Sequence, residues 1–512
     1  MTEVAGILAA AVAERVYRRT VRTGSVIDRV SADDLMSLVA ERGSTPMQVG
    51  AVLLLDVTAG VDPHDIVRQV GRRVAGVPRL RQRLVSVPVG CGRPIWVDDA
   101  RFAIGRHLTA VELPPTRYPG DPAPRPGQER APGEGTPALP ESAVLRLAAE
   151  LLAAPLPRDR PLWAATLVTA PGAGEAALIV VFHHVLADGI GGLAVLGALV
   201  DAAGEPADLV GSVDDARPAG TGWPADTGNP AGPARRPGRP FPRPRPSNAE
   251  LAREAAGSRL RALGGLPRSV LRLAAAAGQL RLAPRTRLPR TSLNVPTGPR
   301  RRFLSIRVSL ALTLAAARAQ NATVNDVLLV AVAGALRRVL EQRGERLDEV
   351  VVSVPFSARE QASAGRLGNQ SGVIPIRIPA AGDPGARLRE VARRTRPAKR
   401  TVRGASTALI GPLFRLLARL GLYRRFINRQ RLIHTFSSNL RGPATPLVMA
   451  GCPVTAVLPL SATTGNVTVA FAALSYAGTL AITIVADPDA CPDLPALRAA
   501  LVAELHVISR EP

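Results

Sequence analysis

The sequence runs to 512 residues, 46% of them hydrophobic, so it can bury a sizeable core; this excludes global disorder and predicts two large domains or one compound domain. Its 65 basic and 41 acidic residues leave a formal net charge of +24, which predicts attraction to anionic surfaces, while 3% aromatics and the lack of any nucleic-acid motif argue against nucleic acid as partner. Cys91, Cys452 and Cys491 stand far apart with no CxxC pair, which excludes a disulfide framework or zinc ribbon and predicts a reduced, cytosolic protein.

Lys399 is the only lysine, so the positive charge is arginine, a skew that GC-rich coding explains as readily as selection for a partner. Val4 to Ala13 is apolar between Glu3 and Glu14, without a basic leader, and predicts a helix rather than a signal peptide. No run reaches the ~18 apolar residues that a spanning helix needs. Ser31 opens a capped helix in SADDLMSLV; 49–56 reads as strand and 62–75 as helix. Residues 114–140 are rich in Pro and Gly and predict an exposed loop. The near-continuous apolar run over 176–184 predicts a buried strand, followed by an apolar helix over 190–203.

Residues 204–247 contain PAGPARRPGRPFPRPRP and predict a Pro/Arg-rich linker; 249–284 then predicts helix with an arginine face. Beyond it, 303–310 predicts strand and 323–342 helix. Strands follow from Val350 and Val373, and a strand pair at 466–476 and 479–486 flanks Gly478. Residues 405–422 are apolar but hold Pro412, Arg415 and Arg419, and predict a core helix with an interfacial one as the alternative. Strands and helices in each half predict an α/β layered architecture, with one subdomain over 1–203, a linker with connecting helices over 204–290, and a second subdomain over 291–512.

The stretch Phe182-His183-His184-Val185-Leu186-Ala187-Asp188-Gly189 carries the chemistry. Neighbouring side chains on a strand point to opposite faces, so one histidine can look into a cavity while the other packs elsewhere. An imidazole with an ordinary pKa of about 6.5 suits general-base work. Gly189 and the Gly191-Gly192 pair permit a sharp turn and a close approach to the backbone. His184 and Asp188 are four apart, but the glycines favour a turn over a helical ligand face and no third ligand is near, so no metal is expected. His107 and His434 are expected to be packing or surface residues.

HHxxxDG resembles the signature of the CoA-dependent acyltransferase superfamily. From about Ser31 to Asp487 the chain resembles one branch, the bacterial wax ester synthase/diacylglycerol acyltransferases. The resemblance is carried in order by Pro46-Met47-x-Val49-Gly50, PRLRQRLV from Pro78, GRPIWVDD from Gly92 and Pro161-Leu162-Trp163. In the second half it is carried by TSLNVPTGPRRRF, Asn325-Asp326, VPFSAR with Gly368-Asn369, SSNLRGP from Ser437 and LSYAGTL. The two Pro-rich segments look like expansions of loops usually shorter in the family, and the first 25 or so residues fall outside the resemblance.

That resemblance implies two chloramphenicol-acetyltransferase-like α/β subdomains with a central tunnel between them. It implies an enzyme that passes a fatty acyl group from acyl-CoA, a co-substrate rather than a cofactor, to the hydroxyl of diacylglycerol or a long-chain alcohol. His184 would be the general base and His183 its support on the opposite face. Asp188 would be structural, ion-paired with an arginine for which Arg81 is the candidate. The oxyanion would take a donor from Ser437-Ser438-Asn439. Asn325 and Asp326 would either cap and place a helix or act in the site; Trp163 would pack or wall an acyl channel. Water-insoluble substrates imply peripheral contact with a membrane or lipid droplet, with the arginine face of 249–290 as a candidate surface. The alternatives are a condensation-type acyltransferase on carrier-bound or polyketide-like substrates and a non-catalytic lipid-surface protein.

Overall fold

A computed structural model describes residues 27–31, 34–41, 45–114, 139–201, 241–264, 288–357, 371–401, 414, 417–418 and 420–510. The expected helix over Val4–Ala13, loop residues 115–138, linker residues 204–240, positions 265–284 of the helical stretch, Gly368-Asn369 and most of 405–422 lie outside these.

The first half contributes α1 (Asp34–Ala40), β1 (Gln48–Asp56), α2 (Pro63–Val74), β2 (Gln82–Val85), β3 (Ile95–Asp98), β4 (Leu108–Glu112), α3 (Glu141–Ala153), β5 (Trp163–Thr169), β6 (Glu175–His183) and α4 (Gly189–Leu199). After α5 (Asn248–Gly264) come β7 (Arg302–Ser309), α6 (Leu310–Ala319), α7 (Val324–Gln342), β8 (Glu349–Ser357), β9 (Ser371–Pro379) and α8 (Pro384–Thr401). The chain ends with α9 (Tyr423–Ile427), β10 (Thr435–Arg441), β11 (Val448–Met449), β12 (Cys452–Leu460), β13 (Val469–Tyr476), β14 (Thr479–Ala486) and α10 (Leu494–Arg510). The β13–β14 hairpin turns at Ala477 and Gly478, both at positive φ.

Two six-stranded sheets result, ordered β11-β12-β1-β6-β5-β4 and β7-β14-β13-β10-β8-β9. β12 pairs antiparallel with β1 from Gly50↔Leu460 to Leu55↔Val454, so residues 448–460 complete the first sheet although they lie in the 291–512 segment. The two halves are therefore interlocked by a crossover that no local pattern announces.

The uninterrupted apolar run of β6 reflects burial on both faces. Ala176, Leu178, Val180 and Phe182 pack into the core shared with α2 and α4, while Ala177, Ile179 and Val181 face α3. α3 is wedged between the sheets: its Val144, Ala148 and Leu152 meet Val52 and Leu54 on one side and Phe303, Ala470 and Val485 on the other. Its Glu141 accepts hydrogen bonds from Ser305 and Arg307 on β7. Gln48, 1% exposed, closes the C-terminal end of α3, where the last carbonyls lack helical partners. Its amide donates to Leu152 O (2.7 Å) and Ala154 O (2.8 Å), and its Oε1 accepts from Leu156 N–H.

The second core forms around α7, buried along most of its length against α10 and the second sheet. A buried ion pair crosses it, Arg387 Nη1 to Glu504 Oε2 at 3.0 Å, and Arg387 also bonds the Val330 carbonyl. Gly334 makes room for that carboxylate; a Cβ there would overlap Glu504.

Candidate active site

β6 ends at His183, and the register explains why the chain turns there. His183 pairs with Gln48 at the start of β1, and His184 N–H donates to Met47 O at 2.8 Å, so the Pro46-Met47-x-Val49-Gly50 segment is the strand edge that holds the histidine pair. His183 is 1% exposed and folds back on the turn: its Nδ1 accepts from Val185 N–H at 2.9 Å and its carbonyl accepts from Leu186 N–H. The ring proton is thereby placed on Nε2, which stands 3.1 Å from Glu41 Oε2, an electrostatic contact rather than an aligned hydrogen bond. Glu41 is ion-paired with Arg158. Burial, with the nearby Arg158 charge, pulls the His183 pKa down to about 3, so this histidine is neutral.

His184 lies beyond the strand, half-buried in the turn. Burial lowers its pKa, and the carboxylates of Asp188 and Asp34 oppose that shift. Asp188, 2% exposed, is the N-cap of α4: its carboxylate accepts from Gly191 N–H at 2.9 Å and its carbonyl from Gly192 N–H at 2.7 Å. Two glycines of this turn have a steric reason. A Cβ on Gly192 would lie 2.6 Å from Phe182 Cζ, and one on Gly189 would lie 2.9 Å from Leu440 Cδ2. Because Leu440 belongs to β10, the HHxxxDG turn sits where the two sheets' halves meet.

Arg81 packs against the linker. It closes the short 3-10 turn Pro78–Arg81, and its guanidinium carbon lies 4.0 Å over the ring of Phe241; among the described residues no ion pair joins it to Asp188. Phe241 belongs to the end of the Pro/Arg-rich linker, which is strapped to the β2–β3 hairpin by Arg243, whose Nε and Nη2 donate to Asp98 at 2.8 and 2.6 Å. Burial would raise the Asp98 pKa, but these bonds outweigh it and hold the carboxyl well below the usual range.

Trp163, 3% exposed, packs: its Nε1 donates to Leu80 O at 2.7 Å and its ring stacks on His107 at 4.8 Å. Asp326 forms a capping box with Thr323 at the head of α7, and its other oxygen accepts from Thr395 on α8, a helix-placing role within the second half. Asn325 is buried in the same first turn. In the Ser437–Asn439 stretch, Ser437 is in register with Phe471 and faces the second core, its Oγ buried without a hydrogen-bond partner among the described residues. Ser438 shares the opposite face with Leu440, the residue that meets Gly189. His434 is buried, its Nδ1 accepting from Val351 N–H at 2.9 Å, and its pKa falls to about 4 through burial.

Sequence reasoning missed Asp34, Glu41 and Leu440. The capping signal Ser31…Asp34 was readable, and Asp34 N–H does bond Ser31 Oγ at 2.9 Å, but the influence of its charge on His184 depends on the tertiary fold. Among the described residues no group of three or more His, Cys, Asp or Glu stands placed for a metal ion, and no helix is long and apolar enough to cross a membrane.

Comparison with known proteins gives the family. Residues 30–122 and 136–328 match the wax ester synthase/diacylglycerol acyltransferase catalytic domain, and residues 367–509 match the WS/DGAT C-terminal domain. A Mycobacterium tuberculosis protein named probable diacylglycerol O-acyltransferase tgs1 is 29% identical over 480 residues, covering 91% of this chain and 92% of its own. The fold is shared with the wax ester synthase/diacylglycerol acyltransferase of Marinobacter aquaeolei VT8, at TM-score 0.61 and 20% identity over 94% of this chain and 98% of that one. It is also shared with the starter condensation domain of rhizomide synthetase, solved with C8-CoA and Leu-SNAC, at TM-score 0.57 and 13% identity over 94% of each chain. With the catalytic domain matched over 30–122 and 136–328 and the C-terminal domain over 367–509, the chain belongs to the wax ester synthase/diacylglycerol acyltransferase family.

Proposed function

We propose that this acyltransferase moves a fatty acyl group from acyl-CoA to the hydroxyl of diacylglycerol or a long-chain alcohol, with His184 as general base. The observation that carries the assignment is the contrast between the paired imidazoles. His183 is sealed inside the protein, its Nδ1 held by Val185 N–H and its Nε2 facing Glu41, whereas His184 is half-buried on a turn at the meeting of the halves. With its pKa below the ordinary value, His184 is neutral at pH 7 and able to accept a proton.

In the reaction the acceptor hydroxyl attacks the thioester carbonyl as His184 takes its proton. The tetrahedral adduct then expels the CoA thiolate, which recovers that proton from the imidazolium, leaving ester and free CoA. Positioning of two substrates together with one base can supply much of the acceleration, without an acyl-enzyme. Ser438 is the donor this reading assigns to the developing oxyanion. A basic run supports contact with anionic substrates or surfaces: between Glu390 and Asp487 there are thirteen Arg or Lys and no Asp or Glu.

The test is His184→Ala assayed with radiolabelled oleoyl-CoA and either diacylglycerol or hexadecanol. Ester formation should fall by roughly 10²–10⁴-fold with an unchanged unfolding transition. Retention of most activity would remove His184 as the base. The same assay across both acceptors separates triacylglycerol from wax ester synthesis.

A further inference from the structure

A cavity of about 290 Å³ lies outside the HHxxxDG turn, between residues 288–296 and 428–434. Its lining includes Arg290, Arg429 and Arg431 and no Asp or Glu. Arg290 and Arg429 are exposed and have no ion-pair or hydrogen-bond partner among the described residues, while Arg431 uses only its Nε, on Leu288 O at 2.8 Å. The cations therefore stand uncompensated around a concave surface, an arrangement that self-repulsion disfavours unless an anion visits it.

The floor beneath them is fixed. Asn294 donates to the carbonyls of His434 (3.0 Å) and Asn466 (3.2 Å), Gln430 donates to Asn466 Oδ1 (2.7 Å), and Asn466 returns a bond to Gln430 O (2.9 Å). These amides satisfy one another and hold the two arginine-bearing segments together, so the guanidinium groups, with the unpartnered Nε2 of His434, are left as donors for a ligand. Guanidinium geometry suits phosphate oxygens, which accept paired N–H bonds.

Position supplies the second argument. His434 lines the cavity and immediately precedes β10, whose other end brings Leu440 against Gly189. The six steps along the strand from His434 to Leu440 span roughly 20 Å at strand rise. That is the reach of an extended pantetheine arm, which carries a thioester at one end and phosphates at the other.

We propose that this arginine-lined cavity binds phosphate groups, those of the acyl donor, and so anchors the end of CoA remote from the thioester. The assignment rests on the reading of acyl-CoA as donor. It gives Arg290 and Arg429 a binding role at a distance from His184.

The experiment uses the full chain and two donors, oleoyl-CoA and the oleoyl thioester of N-acetylcysteamine, which has the reactive bond but no phosphate. In Arg290→Ala/Arg429→Ala, kcat/KM for the CoA donor should fall about tenfold relative to that for the truncated donor, with the loss in KM. The single variant Arg429→Glu should act in the same direction. If the parent uses both donors and the ratio is unchanged in the double variant, the cavity assignment is overturned while acyl transfer stands. If the parent turns over neither donor, the reading beneath it fails as well. Cosedimentation with phosphatidylglycerol vesicles separates the other source of phosphate: an unchanged donor ratio with lost vesicle binding would assign the site to lipid headgroups and overturn the donor assignment.

Discussion

Gly189 and Leu440, one at the first position of α4 and the other on β10, approach so closely that a Cβ on the glycine would lie 2.9 Å from the leucine Cδ2. Helix propensity alone favours Gly189→Ala by about 0.5–1 kcal/mol. The overlap opposes it, and overpacking at a filled contact costs about 1–3 kcal/mol. Gly189→Ala should therefore be net destabilising, and Leu440→Ala in the same chain should recover the loss, giving a coupling of about 1 kcal/mol in a double-mutant cycle of chemical unfolding. Equal stability of Gly189→Ala and the parent would mean that the two halves do not meet at this point.

His183 holds the turn through its ring. Its Nδ1 takes the Val185 N–H that the strand-to-helix turn would otherwise leave unsatisfied. Losing the partner of a buried donor costs about 1–3 kcal/mol. His183→Ala should lower stability by that amount and reduce activity through displacement of His184. His183→Asn keeps an acceptor at the same reach and should restore most of the stability. Full activity in the alanine variant would show that His184 is held by other contacts.

The parts of this architecture written in local periodicity were legible. The run 176–184, apart from His184, became β6, whose residues from Ala176 to His183 are all buried, and 49–56 became β1, the strand beside it. The HHxxxDG spacing located the turn because the chemistry and the glycines lie within eleven residues. What could not be read is whatever joins distant segments. The β12 crossover, Glu41 beside His183, and Leu440 against Gly189 involve partners separated by more than a hundred residues, and nothing in either local sequence encodes the other. Arg81 shows the same limit in reverse. The family resemblance offered it as a partner for Asp188, but the linker supplied an aromatic ring, Phe241, to cover its guanidinium.

Asp188 combines a cap and a charge, and two substitutions separate them. Asparagine accepts the Gly191 N–H nearly as well as aspartate, so Asp188→Asn should keep the cap, whereas Asp188→Ala should lose about 1 kcal/mol. Both remove a carboxylate that raises the His184 pKa against the effect of burial. The acidic limb of the rate profile should therefore move to lower pH in both, with stability clearly reduced only in the alanine variant. A rate profile unmoved in Asp188→Asn would show that its charge does not reach the base.

Four histidines are held with lowered pKa in the folded chain: His107, His183, His184 and His434, with His183 at about 3 and His434 at about 4. In the unfolded chain each protonates near pH 6.5. Above that value both states are neutral and the histidines add no pH dependence. Below it the unfolded chain binds protons that the folded chain refuses, so folding stability falls as pH drops, by about 1.4 kcal/mol per pH unit for each fully buried histidine until its folded pKa is reached. Asp98, held low by Arg243, adds its own loss only below its ordinary pKa near 3.8, which leaves pH 5 to 6.5 to the histidines. The unfolding free energy should be flat from pH 7 to 8 and drop between 6.5 and 5. His434→Gln, whose amide oxygen can still accept the Val351 N–H, should make that drop shallower by one histidine's share. An unchanged slope in His434→Gln would mean that this imidazole titrates in the folded protein as it does in water.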